Sequence, residues 1–465
     1  MNETRDLIIG IDLRNEYSQL CYYDRKAEEP RSLPVKVGSS QYEVPTRLCR
    51  RVEQKDYCIG IEAEYFAREK GGFLVEDLCG ISRSRKTVQV AGEEKQPWEI
   101  LAYFLEGMLK LTGVADINRN IRCLTVTMES LDDIQVENLQ KAGELLEIPR
   151  SSFIIMDHEE SFYYYIMAQK AETWNRSVGW YNFDKNHVTF RKLVMNSGAK
   201  PVLVKLEEAV ETDLNDTDDE QRDADFYTFI KNTLGSELYS SIQIDGSGFD
   251  QEWAQKSVKL LCYQKRKVFY GNNLFARGAC AAGAERVITH KLKDYRYLGN
   301  SLVMTDVGMD MRVMGAQASY PLIEAGRNWY ECSAECELIL DGTEELVFNA
   351  TAMGETEKRR IGMRLPGLPK RPNRKHHERQ EVVHHTKDDR IRCIDDLQCR
   401  QMQETQHAVD DTVFFKQCLP CQGAEKKVHP HRQDKDQHDK TCLTDFVLAQ
   451  DHCQRIGKDQ TDRGT

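Results

Sequence analysis

The sequence predicts an α/β fold of sheets covered by helices, then a small, incomplete β-domain and an irregular tail. Three observations carry this. Over the first 300 residues, strand-like apolar runs alternate with amphipathic helical runs. From about Ser301 the segments become short, alternating and punctuated by turns. Past about Asn373 neither periodicity lasts more than a few residues.

The elements follow in order. Leu7-Ile8-Ile9-Gly10-Ile11-Asp12 reads as a buried strand ending on an acid, and "SQLCYYD" as its hairpin partner. Short strands and a helix beginning near Glu62 come next. "PWEILAYFLEGMLKLTG" repeats Ile100, Leu101, Phe104, Leu105, Met108 and Leu109 at helical spacing, with Pro97 in the first turn and Gly113 beyond the end. "IRCLTVTM" is a strand; "SLDDIQVENLQKAGELLEI" is a helix opened by a Ser/Asp cap. "SSFIIMD" and "HEESFYYYIMAQK" repeat the strand-helix order. A second unit starts with the hairpin "VGWYNFDKNHVTFRKLVM" and continues through "SSIQIDGSGFDQEWAQKSVKLLCY" to a small-residue helix in "NNLFARGACAAGAERVI". Between them, residues 207–225 are acidic and read as a solvated loop. No internal sequence repeat stands out.

Composition narrows the function classes. The net charge of -11 argues against general nucleic-acid binding, which needs a positive field. No apolar run is long enough to span a bilayer, and the acidic, polar start lacks a secretory pattern. Fifteen cysteines in such a chain suggest reduced thiols and a cytoplasmic setting.

The order of these pieces resembles the seventy-kilodalton heat-shock chaperones, within the actin-like ATPase (ribonuclease H-like) superfamily. "GIDLRNEYSQL" is similar to that family's first phosphate loop, "WYNFDKNHVTF" occupies the place of the second, and "IDGSGF" resembles the adenosine-side loop. "LTVTMESLDDIQVENLQKAGELLEI", "IIMDHEESFYYYI", "NNLFARGACAAGA" and "RIGMRLPGLPKRPN" resemble further family stretches, so the likeness covers about residues 6 to 373. It implies a two-lobed nucleotide-binding-like domain over 1–300, with a reduced flanking subdomain around 195–240. It also implies a partial β-sandwich over 301–373, resembling the chaperone substrate-binding domain.

The resemblance also implies a crevice for ATP and Mg²⁺. Asp12 and Asp184 match the two hairpin carboxylates that hold Mg²⁺ through water, and Glu159 matches the acid that positions the attacking water. Gly246, Ser247 and Gly248 match the adenosine loop, while Asn15, Glu16 and Lys185 stand in the two phosphate loops. Those phosphate loops depart from the pattern. Arg14 stands where Gly is expected, Asn15 and Glu16 replace hydroxyls, and Lys185-Asn186-His187 replace glycines. A Glu16 carboxylate ~4 Å from a phosphate costs about 1 kcal/mol in water and about 4 kcal/mol at an effective dielectric near 20. Arg14, Lys185 and protonated His187 offset this to a degree the residues leave open. Taken singly, Asp12 and Asp184 also fit turn roles and Glu159 a helix-start role.

The tail supports three readings. Nine of the twelve histidines lie between His376 and His452. Cys418 and Cys421 have zinc half-site spacing, with His429, His431, Cys442, His452 and Cys453 as partners. A disordered polar tail is the second reading. The third, an out-of-frame stretch over 374–465, accounts for the abrupt end of the β pattern. The expected function is that of a chaperone-like protein with a degenerate nucleotide cleft and weak or no ATP hydrolysis, acting by protein binding or conformational coupling on partners the sequence does not name. The alternatives are a pseudo-ATPase scaffold and a zinc-binding adaptor.

Overall fold

The computed structural model describes residues 6–35, 41–114, 117–263, 266–271, 273–313, 316–332, 334, 345–353 and 356–364. All fall within the first of two units, residues 1–404; the second, 405–465, lies outside the described residues. The expected tail and its zinc ligands therefore lie outside them too.

The chain is mixed α/β. Its first sheet contains, in chain order, Leu7–Asp12, Tyr17–Asp24, Glu29–Ser32, Ile121–Met128 and Phe153–Asp157. In space they run third, second, first, fourth, fifth. The first three form an antiparallel meander; the fourth lies parallel to the first, and the fifth parallel to the fourth. Alternation along Leu7–Asp12 explains its burial on both faces. Ile9 and Ile11 join the core formed with helices Pro97–Lys110 and Asp133–Leu145. Ile8 points the other way, into a core with Ala276, Ala279 and Cys280 of helix Leu274–Ala284. The Asp132 carboxylate accepts from the Gln135 amide at 2.8 Å, capping helix Asp133–Leu145 as the sequence predicts.

The second sheet repeats the plan. Ser177–Asp184, His187–Asn196, Val202–Leu206, Tyr239–Ser247 and Lys267–Tyr270 again run third, second, first, fourth, fifth, with the same parallel and antiparallel pairings. Tyr295–Tyr297 extends the sheet beside Val202–Leu206, and Val210–Asp213 pairs with His187–Asn196. The topology is thus duplicated although no sequence repeat is visible.

One expectation needs correction. The acidic run is not simply a solvated loop: it holds strand Val210–Asp213 and the start of helix Asp219–Leu234. Asp218 caps that helix, accepting from the Glu220 amide at 2.9 Å, and Asp219 and Glu220 sit at its favourable positive end. Its inner face, Phe226, Phe229, Ile230 and Leu234, completes the second sheet's core.

Beyond residue 304 the described strands form one antiparallel four-stranded sheet, ordered Ala316–Ile323, Thr305–Val313, Glu345–Ala352, Arg359–Arg364. Val307, Met309, Ile323, Leu346 and Phe348 make its core. A second layer of the expected sandwich is not among the described residues. No described helix is long and apolar enough to cross a membrane.

Candidate functional site: two strand-end carboxylates around an arginine

One strand from each sheet delivers an acid to the same place, the first strand of the first sheet and the fourth of the second. Leu7–Asp12 ends the first sheet's central strand on Asp12, and Tyr239–Ser247 carries Asp245 near its end in the second sheet. Both are buried, Asp12 fully. Between them lies Arg14. Its Nε donates to Asp12 Oδ2 at 2.7 Å, and its Nη2 lies 3.7 Å from Asp245 Oδ2. The other Asp12 oxygen is 2.7 Å from His158 Nε2, at the start of helix His158–Met167. Asn182 Nδ2 donates to Asp245 Oδ2 at 3.2 Å. Phe275 forms the floor: the His158 ring stacks on it with centroids 3.9 Å apart, and the guanidinium lies 4.9 Å from its centroid.

The electrostatics follow from this packing. Burial pushes the Asp12 carboxyl up, but Arg14 and then His158 outweigh it and hold it below the usual range. For Asp245, burial wins over the more distant Arg14, so its carboxyl is raised. Arg14 is held charged: burial opposes its charge, and Asp12 followed by Asp245 overcomes that opposition. The arrangement is an ion cluster in which one partly exposed guanidinium faces two buried carboxylates.

Helix Leu274–Ala284 is locked under the cluster by close approaches. A Cβ on Gly10 would lie 2.3 Å from Cys280 N and 2.4 Å from Ala276 O, and one on Gly278 would lie 2.0 Å from Ser161 O. Ser161 Oγ donates to Phe275 O at 2.7 Å. Only glycine lets the strand, the two helices and the ring floor meet this tightly.

The expected site residues divide. Asp12 is in the cluster. Asp184 is not: it is exposed at the hairpin end, and Asn182, two residues earlier on the same strand, faces Asp245 instead. Glu159 pairs with Arg191 at 2.8 Å; burial raises its carboxyl and Arg191 opposes the rise. The three acids expected to share a crevice thus have separate partners or face solvent. Asn15 and Glu16 are exposed, and their backbone carbonyls accept from Arg47 Nη1 and the Thr46 amide. His187 turns to Asp213, 2.7 Å away.

Gly246, Ser247 and Gly248 pack against the second hairpin. The Lys185 amide donates to Ser247 O at 2.9 Å. At φ +95° and +101°, Cβ atoms on Gly246 and Gly248 would lie 2.0 Å from Phe183 O and 2.1 Å from Lys185 O. Arg222 Nη2 donates to Lys185 O at 2.8 Å and to Gly248 O at 3.0 Å, with its guanidinium over Trp253. The glycines therefore serve backbone-to-backbone closure.

This donor set does not fit hydrated Mg²⁺. Asp12 has both oxygens engaged, Asp245 is bound by an amide and faces a guanidinium, and Asp184 stands outside. A hydrated Mg²⁺ is held by carboxylates that accept from its waters, and here a guanidinium already stands beside both buried carboxylates. A cavity of about 580 Å³ lies elsewhere, beside Phe153, Ile155, Arg286, Arg327 and Tyr330.

The family called "Family of unknown function (DUF5716) C-terminal" matches residues 29–300, more than half of the sequence. The chain belongs to this family. A "Domain of unknown function (DUF8552)" matches residues 302–397. The second match runs past residue 373, where the out-of-frame reading places its break. No curated protein matches the chain. Within the DUF5716 match lie His158, Asn182, Asp245 and Phe275; Asp12 and Arg14 precede it.

His158, Asn182, Asp245 and Phe275 are the residues that sequence reasoning missed. For Asp245 a signal exists: "IQID" ends an apolar strand on an acid just as "IGID" does.

Proposed function

We propose that this chain is an actin-like, two-lobed protein related in plan to the heat-shock chaperones. In it, an internal arginine occupies the position between the strand-end carboxylates, and the protein works as a pseudo-ATPase that binds or scaffolds other proteins. The duplicated strand order supports the two-lobed plan. The single observation that carries the functional reading is the Arg14 guanidinium set between Asp12 and Asp245. A cation covalently part of the chain pairs with Asp12 and faces Asp245 without metal or nucleotide, and a bulky side chain at this loop position stands where close backbone approach to a phosphate needs a glycine.

Protein binding is supported by exposed apolar side chains on two neighbouring elements: Ile61 and Tyr65, four apart on helix Gly60–Glu69, and Phe73 and Leu74 on strand Phe73–Val75.

A phosphate-release assay with ATP and Mg²⁺ tests the pseudo-ATPase reading. No turnover above a protein-free control is expected. Mg²⁺-dependent release that disappears in Asp12→Ala would refute it.

A further inference from the structure

A short segment pins the β-sheet domain to the first sheet. Trp329–Glu331 forms a turn of 3₁₀ helix whose Tyr330 is buried in the first sheet's core. Tyr330 OH donates to Ile155 O at 2.8 Å. Asn328 Nδ2 donates to Glu160 Oε2 at 3.0 Å and to Tyr330 OH at 2.9 Å. Glu331 pairs with Arg286 at 2.7 Å. On its other side the segment is stitched to the chain at Ser301–Val303: the Val303 amide donates to Arg327 O at 2.8 Å, and the Trp329 amide to Ser301 O at 2.8 Å. This is where the two family matches meet, at 300 and 302. The 580 Å³ cavity is lined by Tyr330, Glu331, Arg286 and Ile155, so the segment borders a groove on one side.

We propose that Asn328–Glu331 is a releasable latch between the β-sheet domain and the first sheet, with the charge on Glu160 setting its strength. Glu160 is the carboxylate the latch covers. Around it stand Asp157 from its own strand end and Glu331 from the latch, both repelling a negative charge, against Arg286, which is already paired to Glu331. Tyr163, Tyr164, Tyr297 and Tyr330 also face it, and burial keeps all four phenols protonated. Burial first, and Asp157 second, push the Glu160 carboxyl up to about 8. A carboxyl raised in the latched state is protonated there and loses its proton on release. Latching is therefore fully favoured below the ordinary glutamate pKa and weakens as pH rises toward 8, levelling beyond it. One linked proton makes the opening equilibrium rise up to tenfold per pH unit in that window. The proposal does not rest on the nucleotide reading.

Hydrogen exchange of the full chain from pH 6 to 9, corrected for intrinsic rates, tests it on peptides spanning 326–331 and 153–160. Wild-type protection is expected to fall by roughly tenfold per unit between pH 6 and 8 and then level off. Glu160→Gln keeps an oxygen for Asn328 and should remove the dependence. Tyr330→Phe, which loses only the hydroxyl, should lower protection about tenfold at every pH while retaining the slope. PH-independent protection in the wild type, an unchanged slope in Glu160→Gln, or unaltered protection in Tyr330→Phe would each overturn the latch.

Discussion

Arg14→Ala is expected to destabilise the protein by about 2–3 kcal/mol in urea unfolding. Removing one partner of a buried ion pair costs about 3–5 kcal/mol because the other charge stays buried and unpaired. Arg14 is 35% exposed, so water relieves part of that cost, whereas Asp12 is fully buried and keeps the rest. The companion variant separates charge from packing. Asp12→Asn in the Arg14→Ala background removes the stranded charge, so the pair should recover about half of the loss, a coupling read directly from a double-mutant cycle. If Arg14→Ala unfolds like the wild type, the guanidinium is not what holds the two carboxylates.

Gly10→Ala is expected to have an effect of similar or larger size, about 3 kcal/mol, by a different route. The added Cβ would meet backbone atoms of Cys280 and Ala276, which cannot rotate away as a side chain would. Helix Leu274–Ala284 would have to lift from the sheet, taking Phe275 out from under His158 and Arg14. Thermal unfolding gives the stability change, and near-ultraviolet circular dichroism reports the loosened aromatic floor. A Gly10→Ala protein with an unchanged midpoint would mean that the helix does not lie on the strand as described.

What the sequence makes legible depends on how local the cause is. Helix Pro97–Lys110 is written in its own spacing of apolar residues, and helix Asp133–Leu145 in its own cap, so both are readable without a partner. The duplicated sheet order is not readable, because the two sheets bury different side chains and only their connections agree. The acidic run misled because its charges dominate composition, while the four apolar residues that fix helix Asp219–Leu234 lie in the helix's later turns.

Of the two hairpin acids the resemblance singles out, Asp12 lies in the cluster and Asp184 does not. The hairpin turns at Lys185, in a left-handed conformation at φ 58°, which leaves Asp184 at the rim and brings Asn182 into register with Asp245. Register of this kind is set by the turn and by the neighbouring strand, and neither is visible in a motif. Arg14 reads in the sequence only as a departure from a glycine-rich loop. Its partners lie 2 and 231 residues away in the chain (12 and 245 against 14), so the role it gains is tertiary.

The most direct test of the central claim, that an internal cation has taken the place between the strand-end carboxylates, is calorimetric titration of the full chain with ATP in the presence of Mg²⁺. The account predicts no saturable heat up to millimolar nucleotide. Stoichiometric, Mg²⁺-dependent binding that is lost in Asp12→Ala would contradict it.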